Sequence, residues 1–207
     1  MKNIRSLCVA MSLTVLALTL FTVKLVAQAA SDLNGPKVFA QTVITLDEED
    51  KMLRELAGEK GTMLVFSCNT CPFVIAWEDR YNELHNLAKA NGVNMILVNS
   101  NEAFRGDEDS HENMKAHAQE MGYEMPYVMD QNHVIADILV AKTTPHVYLF
   151  DNNFNVVYRG AIDDNHKNAK AVDKTYAADA VVALAKGEPI PEAESKALGC
   201  SIKRVKK

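Results

Sequence analysis

The sequence predicts an α/β fold in which a central mixed β-sheet carries helices on both of its faces. Three observations support this prediction: two short apolar runs with a helical pattern between them, a later pair of apolar runs joined by a turn, and a helical pattern after that pair. Parallel strands need a crossover connection, usually a helix, whereas antiparallel strands can be joined by a short turn. Both kinds of connection therefore occur in the same predicted sheet.

Two apolar runs and the helix between them make up the first half of this sheet. Residues 62–66 (TMLVF) and 93–98 (VNMILV) are short and mostly apolar, which is typical of strands buried on both faces. From Pro72 to about Ala90, apolar side chains recur at helical spacing: Trp77, Tyr81, Leu84 and Ala88. The pair Asn91-Gly92 predicts the end of that helix, so the segment forms a parallel strand–helix–strand unit.

A hairpin and a helix make up the second half. Residues 146–150 (HVYLF) and 156–159 (VVYR) flank the turn-forming sequence Asp-Asn-Asn at 151–153, which predicts antiparallel pairing. A helical pattern follows from about Asp173 to Ala185, and Gly187 predicts its end.

Shorter segments surround these two halves. An insertion is expected at about residues 100–141, with a helix at 110–121 whose N-cap is Ser110, a strand at 127–129 and a helix at 134–139. Ahead of the core, we expect a strand at 37–43 and a helix at 48–57 capped by Asp47. A tail at about 188–207 follows the last helix.

The first 29 residues have the features of a secretory signal peptide. Lys2 and Arg5 give a basic start, residues 7–23 are apolar, and Ala27-Gln28-Ala29 supplies the small residues that a signal peptidase needs. Cleavage near Ala29 predicts a periplasmic or secreted protein with a single domain at residues 30–207. Because the apolar stretch approaches the roughly 17 residues that can span a bilayer, an uncleaved membrane anchor facing outward is the alternative.

The mature chain is acidic. Without Lys2, Arg5 and Lys24, the 22 basic residues of the full sequence become 19, against 27 acidic residues. The resulting net charge of −8 argues against nucleic acid as a partner. A membrane is expected as a partner only if the signal segment stays uncleaved.

Two closely spaced cysteines point to thiol chemistry. In FSCNTCPFVIAWEDR, Cys68 and Cys71 stand where the first core strand passes into its helix. Unpaired N–H groups at a helix start stabilise a thiolate, and a second cysteine three residues away can close a disulfide. Because a residue before proline avoids the helical region, the helix begins either at Pro72, nearest Cys71, or in a distorted turn nearer Cys68.

A third cysteine, Cys200, gives the mature chain an odd number of thiols. It is either a third redox thiol that folds back on Cys68 or Cys71, a thiol for intermolecular pairing, or a passive residue. Structural zinc takes four ligands, and no histidine stands at a spacing that would complete a zinc site with the C-x-x-C pair. We therefore expect no metal and no organic cofactor.

Pro145 opens the later apolar strand, within the sequence Lys-Thr-Thr-Pro-His. An ordinary trans proline at a strand edge is one alternative, and a cis Thr144–Pro145 bond in a loop that faces the cysteines is the other. The C-x-x-C pair at the end of the first core strand, together with the order of the strands, favours the cis bond.

These segments together resemble the thioredoxin superfamily, and within it the peroxiredoxin-like group of the alkyl hydroperoxide reductase/thiol-specific antioxidant branch. The matching stretches cover nearly everything from Thr62 to Arg204: FSCNTCPFVIAWEDR, ILVNSNE, DSHENMKAHAQEMGYEMPYVMD, TTPHVYLFD, YRGAIDDN and GCSIKR. The resemblance implies a thioredoxin fold with an insertion, and a C-x-x-C pair in which Cys68 attacks and Cys71 resolves. It also implies that Pro145 is a cis-proline and that Thr144 and Pro145 bind the substrate strand through their backbone.

The cysteine pair departs from the peroxiredoxin pattern, in which a threonine stands three residues before the peroxide-reacting cysteine. Cys68 occupies that position before Cys71, and Val65 occupies it before Cys68. We therefore expect an extracytoplasmic thiol–disulfide oxidoreductase that acts on protein disulfides or small thiols, together with an unidentified electron donor or acceptor. An antioxidant peroxidase and a binding domain with a structural 68–71 disulfide are the alternatives.

Overall fold

A seven-stranded mixed sheet forms the centre of the protein, in a computed structural model that describes residues 35–206. The strands of this part of the chain are β1 (Thr42–Thr45), β2 (Asp50–Met52), β3 (Gly61–Phe66), β4 (Val93–Asn99), β5 (Tyr127–Met129), β6 (Thr143–Thr144), β7 (His146–Asp151), β8 (Val156–Gly160) and β9 (Cys200–Ser201). The order in the sheet is β2-β1-β5-β4-β3-β7-β8, while β6 and β9 pair separately. β3, β4 and β5 are parallel, and the outer pairs are antiparallel. The predicted signal peptide and its cleavage site lie outside the described residues.

Helices cover both faces of this sheet. They are α1 (Gly35–Val38), α2 (Pro72–Trp77), α3 (Tyr81–Ala90), α4 (His111–Glu120), α5 (Val134–Ile138) and α6 (Tyr176–Lys186). The larger core lies under α2, α3, α4 and α6 and includes Met63 and Val65 of β3. On the opposite face, α1 lies beside α5, and the ring of Phe39 meets that of Phe150 edge to face, with centroids 5.1 Å apart. The predicted α/β architecture is confirmed. No helix among residues 35–206 is long and apolar enough to cross a membrane.

The central strand β3 sets the position of the candidate site. It is buried along its whole length, and it pairs in parallel with β4 and antiparallel with β7. Phe66, at its end, stands opposite Val98 of β4 and His146 of β7. The loop that carries the C-x-x-C pair therefore lies beside the segment that carries Pro145.

The helix after the C-x-x-C pair is interrupted once. Instead of the continuous helix expected from Pro72 to about Ala90, α2 and α3 are separated by a 3-10 turn at Glu78–Arg80. Trp77 Nε1 donates a hydrogen bond to Asp163 Oδ1 over 2.8 Å, and Arg80 Nε lies 3.3 Å from Asp163 Oδ2. The tighter turn thus places both side chains against one buried carboxylate, while the predicted apolar stripe stays buried.

The elements predicted ahead of the core are wrong over most of their length. Residues 35–38 form α1 rather than part of a strand, and the predicted helix at 48–57 is replaced by the β1–β2 hairpin and a 3-10 turn at Leu53–Leu56. Glu48 has a φ of 62°, in the left-handed region, and its N–H donates to the Thr45 carbonyl oxygen over 3.0 Å. β1 also pairs with β5, and this non-local pairing overrides the local helix propensity of an acidic segment.

The remaining boundaries agree with the sequence prediction more closely. α4 begins after Ser110, whose Oγ accepts a backbone hydrogen bond over 3.3 Å, as expected for an N-cap. α6 begins at Tyr176, later than expected, because the N–H of Asp173 donates to Asp164 Oδ1 in the preceding loop. It ends at Gly187, which has a φ of 69°.

The end of the chain crosses the loop that carries Pro145. We call residues 199–205 the C-terminal strap. Its strand β9 pairs antiparallel with β6, the N–H of Ile202 donates to the Lys142 carbonyl oxygen over 3.0 Å, and the N–H of Lys203 donates to Asn101 Oδ1 over 2.8 Å. The strap therefore lies next to the C-x-x-C pair.

Candidate active site

The C-x-x-C pair occupies the junction between β3 and α2. Cys71 is the N-cap of α2, with a φ of −70° and a ψ of 122°, and Pro72 is its first helical residue. Of the two helix starts that the sequence left open, the protein has the one at Pro72. A residue before proline is kept out of the helical region, so Cys71 stays extended while its sulfur lies at the first turn.

The two sulfurs face the loop that carries Pro145. Cys68 and Cys71 are free thiols and are 3% and 4% exposed. Cys68 Sγ lies 3.4 Å from Thr144 Oγ1, and Cys71 Sγ lies 3.2 Å from the Thr144 carbonyl oxygen. The Thr144–Pro145 bond is cis, which confirms the favoured alternative. The predicted pair and the predicted loop therefore meet.

The third cysteine lies at the same place. Cys200 stands opposite Thr144 in the β6–β9 pair, and its thiol and backbone N–H are among the groups that lower the pKa of Cys71. Cys68, Cys71 and Cys200 line one cavity of about 230 Å³. The sequence offered three roles for Cys200, and this position makes it a neighbour of the C-x-x-C pair.

Hydrogen bonds concentrate on the sulfur of Cys71. The Cys68 thiol is the strongest of the donors that lower the pKa of Cys71 to about 4, and the Cys200 groups and the N–H of Val74 add to it, while burial opposes them. As a thiol, Cys71 instead donates to the Thr144 carbonyl oxygen, a contact that favours the protonated form. The influences that lower the pKa of Cys71 outweigh this contact and burial, so the arrangement favours a thiolate at Cys71.

The other two sulfurs are held as thiols. The hydrogen bond that Cys68 donates to Cys71 raises the pKa of Cys68, and burial and the negative charge of Asp109 act in the same direction, against the Thr144 hydroxyl. Burial raises the pKa of Cys200, and so does its hydrogen bond to Cys71. Among the three cysteines, the surroundings thus favour a negative charge on Cys71 over one on Cys68 or Cys200.

A buried carboxylate that sequence reasoning missed holds the loop between the two cysteines. Asp109 Oδ1 accepts the backbone N–H of Asn69 over 2.9 Å and Asn99 Nδ2 over 2.7 Å, while its Oδ2 accepts Asn101 Nδ2 over 2.8 Å. Tyr127 donates to Asn69 Oδ1 over 3.0 Å. The sequence signal is a polar run, NSN, directly after a buried strand, but it does not reveal which acid completes the network.

Two basic side chains near Pro145, His146 and Arg159, are occupied by other contacts. Burial lowers the pKa of His146 to about 4, with the charge of Arg159 acting in the same direction. The His146 ring packs on that of Tyr148, with centroids 4.5 Å apart, and Arg159 pairs with Glu194 over 3.0 Å. A neutral imidazole and a paired guanidinium supply no free positive charge to a thiolate.

Within the described residues 35–206, no group of three or more His, Cys, Asp and Glu side chains has the arrangement to hold a metal ion.

Comparisons with known proteins agree with a site based on thiol chemistry. The sequence model of the AhpC/TSA family matches residues 26–159, a stretch that includes Cys68, Cys71 and Pro145 but not Cys200. An uncharacterized conserved protein from Geobacillus kaustophilus is 35% identical, with a TM-score of 0.75, over 81% of this chain and 91% of that one. A hypothetical protein from Sinorhizobium meliloti 1021 is 26% identical, with a TM-score of 0.73, over 80% of this chain and 91% of that one.

A more distant structure shares the fold alone. Peroxidoxin BcpB from Mycobacterium tuberculosis is 11% identical, with a TM-score of 0.54, over 71% of this chain and 92% of that one. No curated protein matches the chain. The similar structures and the seven-stranded sheet identify the architecture as a thioredoxin fold.

Proposed function

Because the chain belongs to the AhpC/TSA family, a peroxiredoxin-like branch of the thioredoxin superfamily, we propose that it is a thiol–disulfide oxidoreductase whose redox couple is Cys68 and Cys71. The observation that carries the proposal is the contact of both sulfurs with Thr144, the residue before Pro145. The substrate is a disulfide-bearing protein or a small thiol compound, and a second, unidentified partner restores the couple. We further propose that the enzyme acts in the periplasm or as a secreted protein, or outside the cytoplasm on an uncleaved anchor.

The hydrogen bonds around Cys71 support a specific order of events. The Cys71 thiolate attacks one sulfur of the substrate disulfide, that S–S bond breaks, and the leaving sulfur takes up a proton. The Cys68 thiol then loses its proton and attacks Cys71 Sγ, which releases the second substrate thiol and leaves a Cys68–Cys71 disulfide. Two electrons pass from the pair to the substrate, and the reverse sequence oxidises a substrate dithiol.

The family resemblance assigns the attack to Cys68 instead, and this assignment stays a prediction. Two variants made in a Cys200→Ser background decide between the sulfurs. If Cys71 attacks, Cys68→Ser/Cys200→Ser accumulates a mixed disulfide between substrate and Cys71, whereas Cys71→Ser/Cys200→Ser forms none. If Cys68 attacks, the mixed disulfide appears on Cys68 of Cys71→Ser/Cys200→Ser. Intact-mass measurement after acid quenching separates the two results.

Turnover of a disulfide substrate tests the proposed function itself. We expect the parent protein to reduce a protein disulfide when a small dithiol reductant is supplied, and each of Cys68→Ser and Cys71→Ser, made in a Cys200→Ser background, to stop turnover. Turnover by both variants at the rate of the parent would refute the redox couple.

Family membership also favours a second candidate, an antioxidant peroxidase. One residue of the site argues against a peroxidase, because Cys68 stands where the family pattern has the threonine hydroxyl that orients a peroxide. Peroxide consumption with no disulfide substrate present distinguishes the two activities. Rapid thiol loss with hydrogen peroxide, at a rate above that of disulfide exchange, would favour the peroxidase.

A further inference from the structure

The C-terminal strap carries a cysteine into the place that a bound peptide strand would take. Cys200 of β9 stands opposite Thr144, and Ser201 stands opposite Thr143. Within residues 35–206, β9 is the one strand that pairs with β6, which leads directly into Pro145. Addition of a strand to a sheet edge is a common way to bind an extended peptide, because the backbone hydrogen bonds supply affinity.

We propose that Cys200 is an internal exchange partner of the C-x-x-C pair and that the strap is a substrate-like strand of the protein's own. The inference rests on the proposed function, because it uses the same couple. In the oxidised protein, Cys200 attacks the sulfur of Cys71, and the disulfide moves from Cys68–Cys71 to Cys71–Cys200. The strap is then held covalently across the site, and Cys68 is a free thiol.

The exchange balances without an outside reagent. The Cys200 thiol gives up its proton, and its sulfur forms a new S–S bond with Cys71 Sγ. The bond between Cys71 and Cys68 breaks, and the Cys68 sulfur leaves as a thiolate that takes up a proton. One disulfide is lost and one is formed, so no electrons enter or leave the protein.

The positions of the three cysteines support this path. Cys200 stands opposite Thr144, whose carbonyl oxygen lies 3.2 Å from Cys71 Sγ, and the three cysteines line one cavity. A strand that pairs with β6 thus brings its cysteine sulfur to Cys71 Sγ, which is the attacking atom in the proposed mechanism. An external cysteine peptide in this register must displace the strap before it can reach Cys71.

Close approach of the strap depends on the glycine before Cys200. A Cβ added to Gly199 would lie 2.2 Å from the Thr144 carbonyl oxygen and 3.2 Å from Pro145 N, both backbone atoms. An alanine at this position therefore has to move the strap away from β6. Beyond β9, the strap is anchored by Ile202, by Lys203, and by Arg204, whose Nη2 donates to the Ala141 carbonyl oxygen over 2.6 Å.

The first test uses Cys68→Ser, which removes the competing disulfide. The reduced variant is treated with glutathione disulfide, free thiols are alkylated in acid, and the bonds are mapped by mass spectrometry. We expect glutathione to be released and a Cys71–Cys200 disulfide to form within each molecule. The double variant Cys68→Ser/Cys200→Ser should instead keep a glutathione adduct at Cys71. Persistence of the adduct in folded Cys68→Ser, with no Cys71–Cys200 bond, would overturn the inference.

The second test moves the strap without changing a sulfur atom. In the Cys68→Ser background, Gly199→Ala should slow closure of the Cys71–Cys200 bond by about tenfold, the change that accompanies a shift of about 1.4 kcal/mol in the seated strap. Gly106→Ala is the matched control, because a Cβ at Gly106 meets no atom within 4 Å. If Gly199→Ala formed the Cys71–Cys200 bond as fast as Cys68→Ser alone, pairing of the strap with β6 would not be what brings the two sulfurs together.

The two proposals fail in different ways. A parent protein that turns over disulfide substrates while Cys68→Ser forms no Cys71–Cys200 bond overturns this inference alone. A parent that turns over no disulfide overturns the proposed function, even if the Cys71–Cys200 bond forms.

Discussion

The C-x-x-C junction and the C-terminal strap meet at one site, but they are built differently. The junction follows the central strand β3, and the buried carboxylate of Asp109 fixes its loop. The strap is added through a two-residue strand pair, one buried side chain, Ile202, and hydrogen bonds near the surface. Segments with few buried contacts open at a smaller free-energy cost than the core does.

Under the two proposals above, this difference gives the two regions separate tasks. The junction would keep Cys68 and Cys71 in one arrangement through every cycle, as a redox couple requires. The strap would leave and return, as a segment that competes with substrate must. Substitutions in the junction should therefore affect the whole fold, whereas substitutions in the strap should mainly change how often the site opens.

The largest expected effect comes from the junction. Asp109→Ala removes the acceptor of Asn69, Asn99 and Asn101, and each buried donor left unpaired costs about 1–3 kcal/mol. We expect the free energy of unfolding, measured by urea titration, to fall by about 3 kcal/mol or more. Asp107→Ala, at an exposed neighbouring residue, is the control and should change the free energy of unfolding little. A loss below about 1 kcal/mol would mean that the network does not hold the loop.

A smaller effect, confined to the strap, is expected for Ile202→Ala. Ile202 is 5% exposed, and truncation of a buried isoleucine to alanine costs at least about 2 kcal/mol. That cost should appear as faster alkylation of Cys200 in the folded protein, by about thirtyfold. Val205→Ala, at a residue that is 38% exposed, is the matched control. Equal alkylation rates in the two variants would show that Ile202 does not hold the strap.

The dependence of stability on pH tests where the negative charge lies. The pKa of Cys71 is lowered to about 4 in the folded protein, chiefly by the Cys68 hydrogen bond, so the unfolded chain binds the proton more tightly. This contribution is fully present above the unfolded pKa and is lost as the pH falls toward about 4. Between about pH 5 and about pH 8, the reduced parent should therefore gain more stability than Cys71→Ser in urea titrations. Equal gains would place the thiolate elsewhere.

The smallest effect is expected at the outer end of the strap. Arg204 is partly exposed and pairs with Asp137 over 2.8 Å, so Arg204→Gln should cost only about 0.5–1 kcal/mol. Alkylation of Cys200 should rise by about two- to fivefold, and Lys206→Gln should leave it unchanged. A change as large as that of Ile202→Ala would mean that the ion pair, rather than burial, holds the strap.

The sequence predicted the parts of this molecule whose pattern is local. The buried runs of β3 and β4 and the stripe around Trp77 follow from residues close together in the chain. The prediction for residues 48–57 failed because their acidic composition suits a helix. In the structure, β2 within this segment pairs with β1, which is itself held by pairing with the distant strand β5. Long-range placement also explains why the sequence alone did not assign the roles of Asp109 and Cys200. Asp109 and Cys200 reach the junction only through folding of the insertion and the strap.

The reduction potential of the Cys68–Cys71 couple tests the central claim most directly. Donors that stabilise the Cys71 thiolate stabilise the reduced protein and therefore raise the potential. The protein is equilibrated in redox buffers of graded potential, and the Cys68–Cys71 disulfide is quantified by mapping after acid quenching. The account predicts a potential above about −300 mV, outside the range of structural disulfides. A value below about −300 mV, with a large loss of stability on reduction, would identify a structural bond and contradict the account.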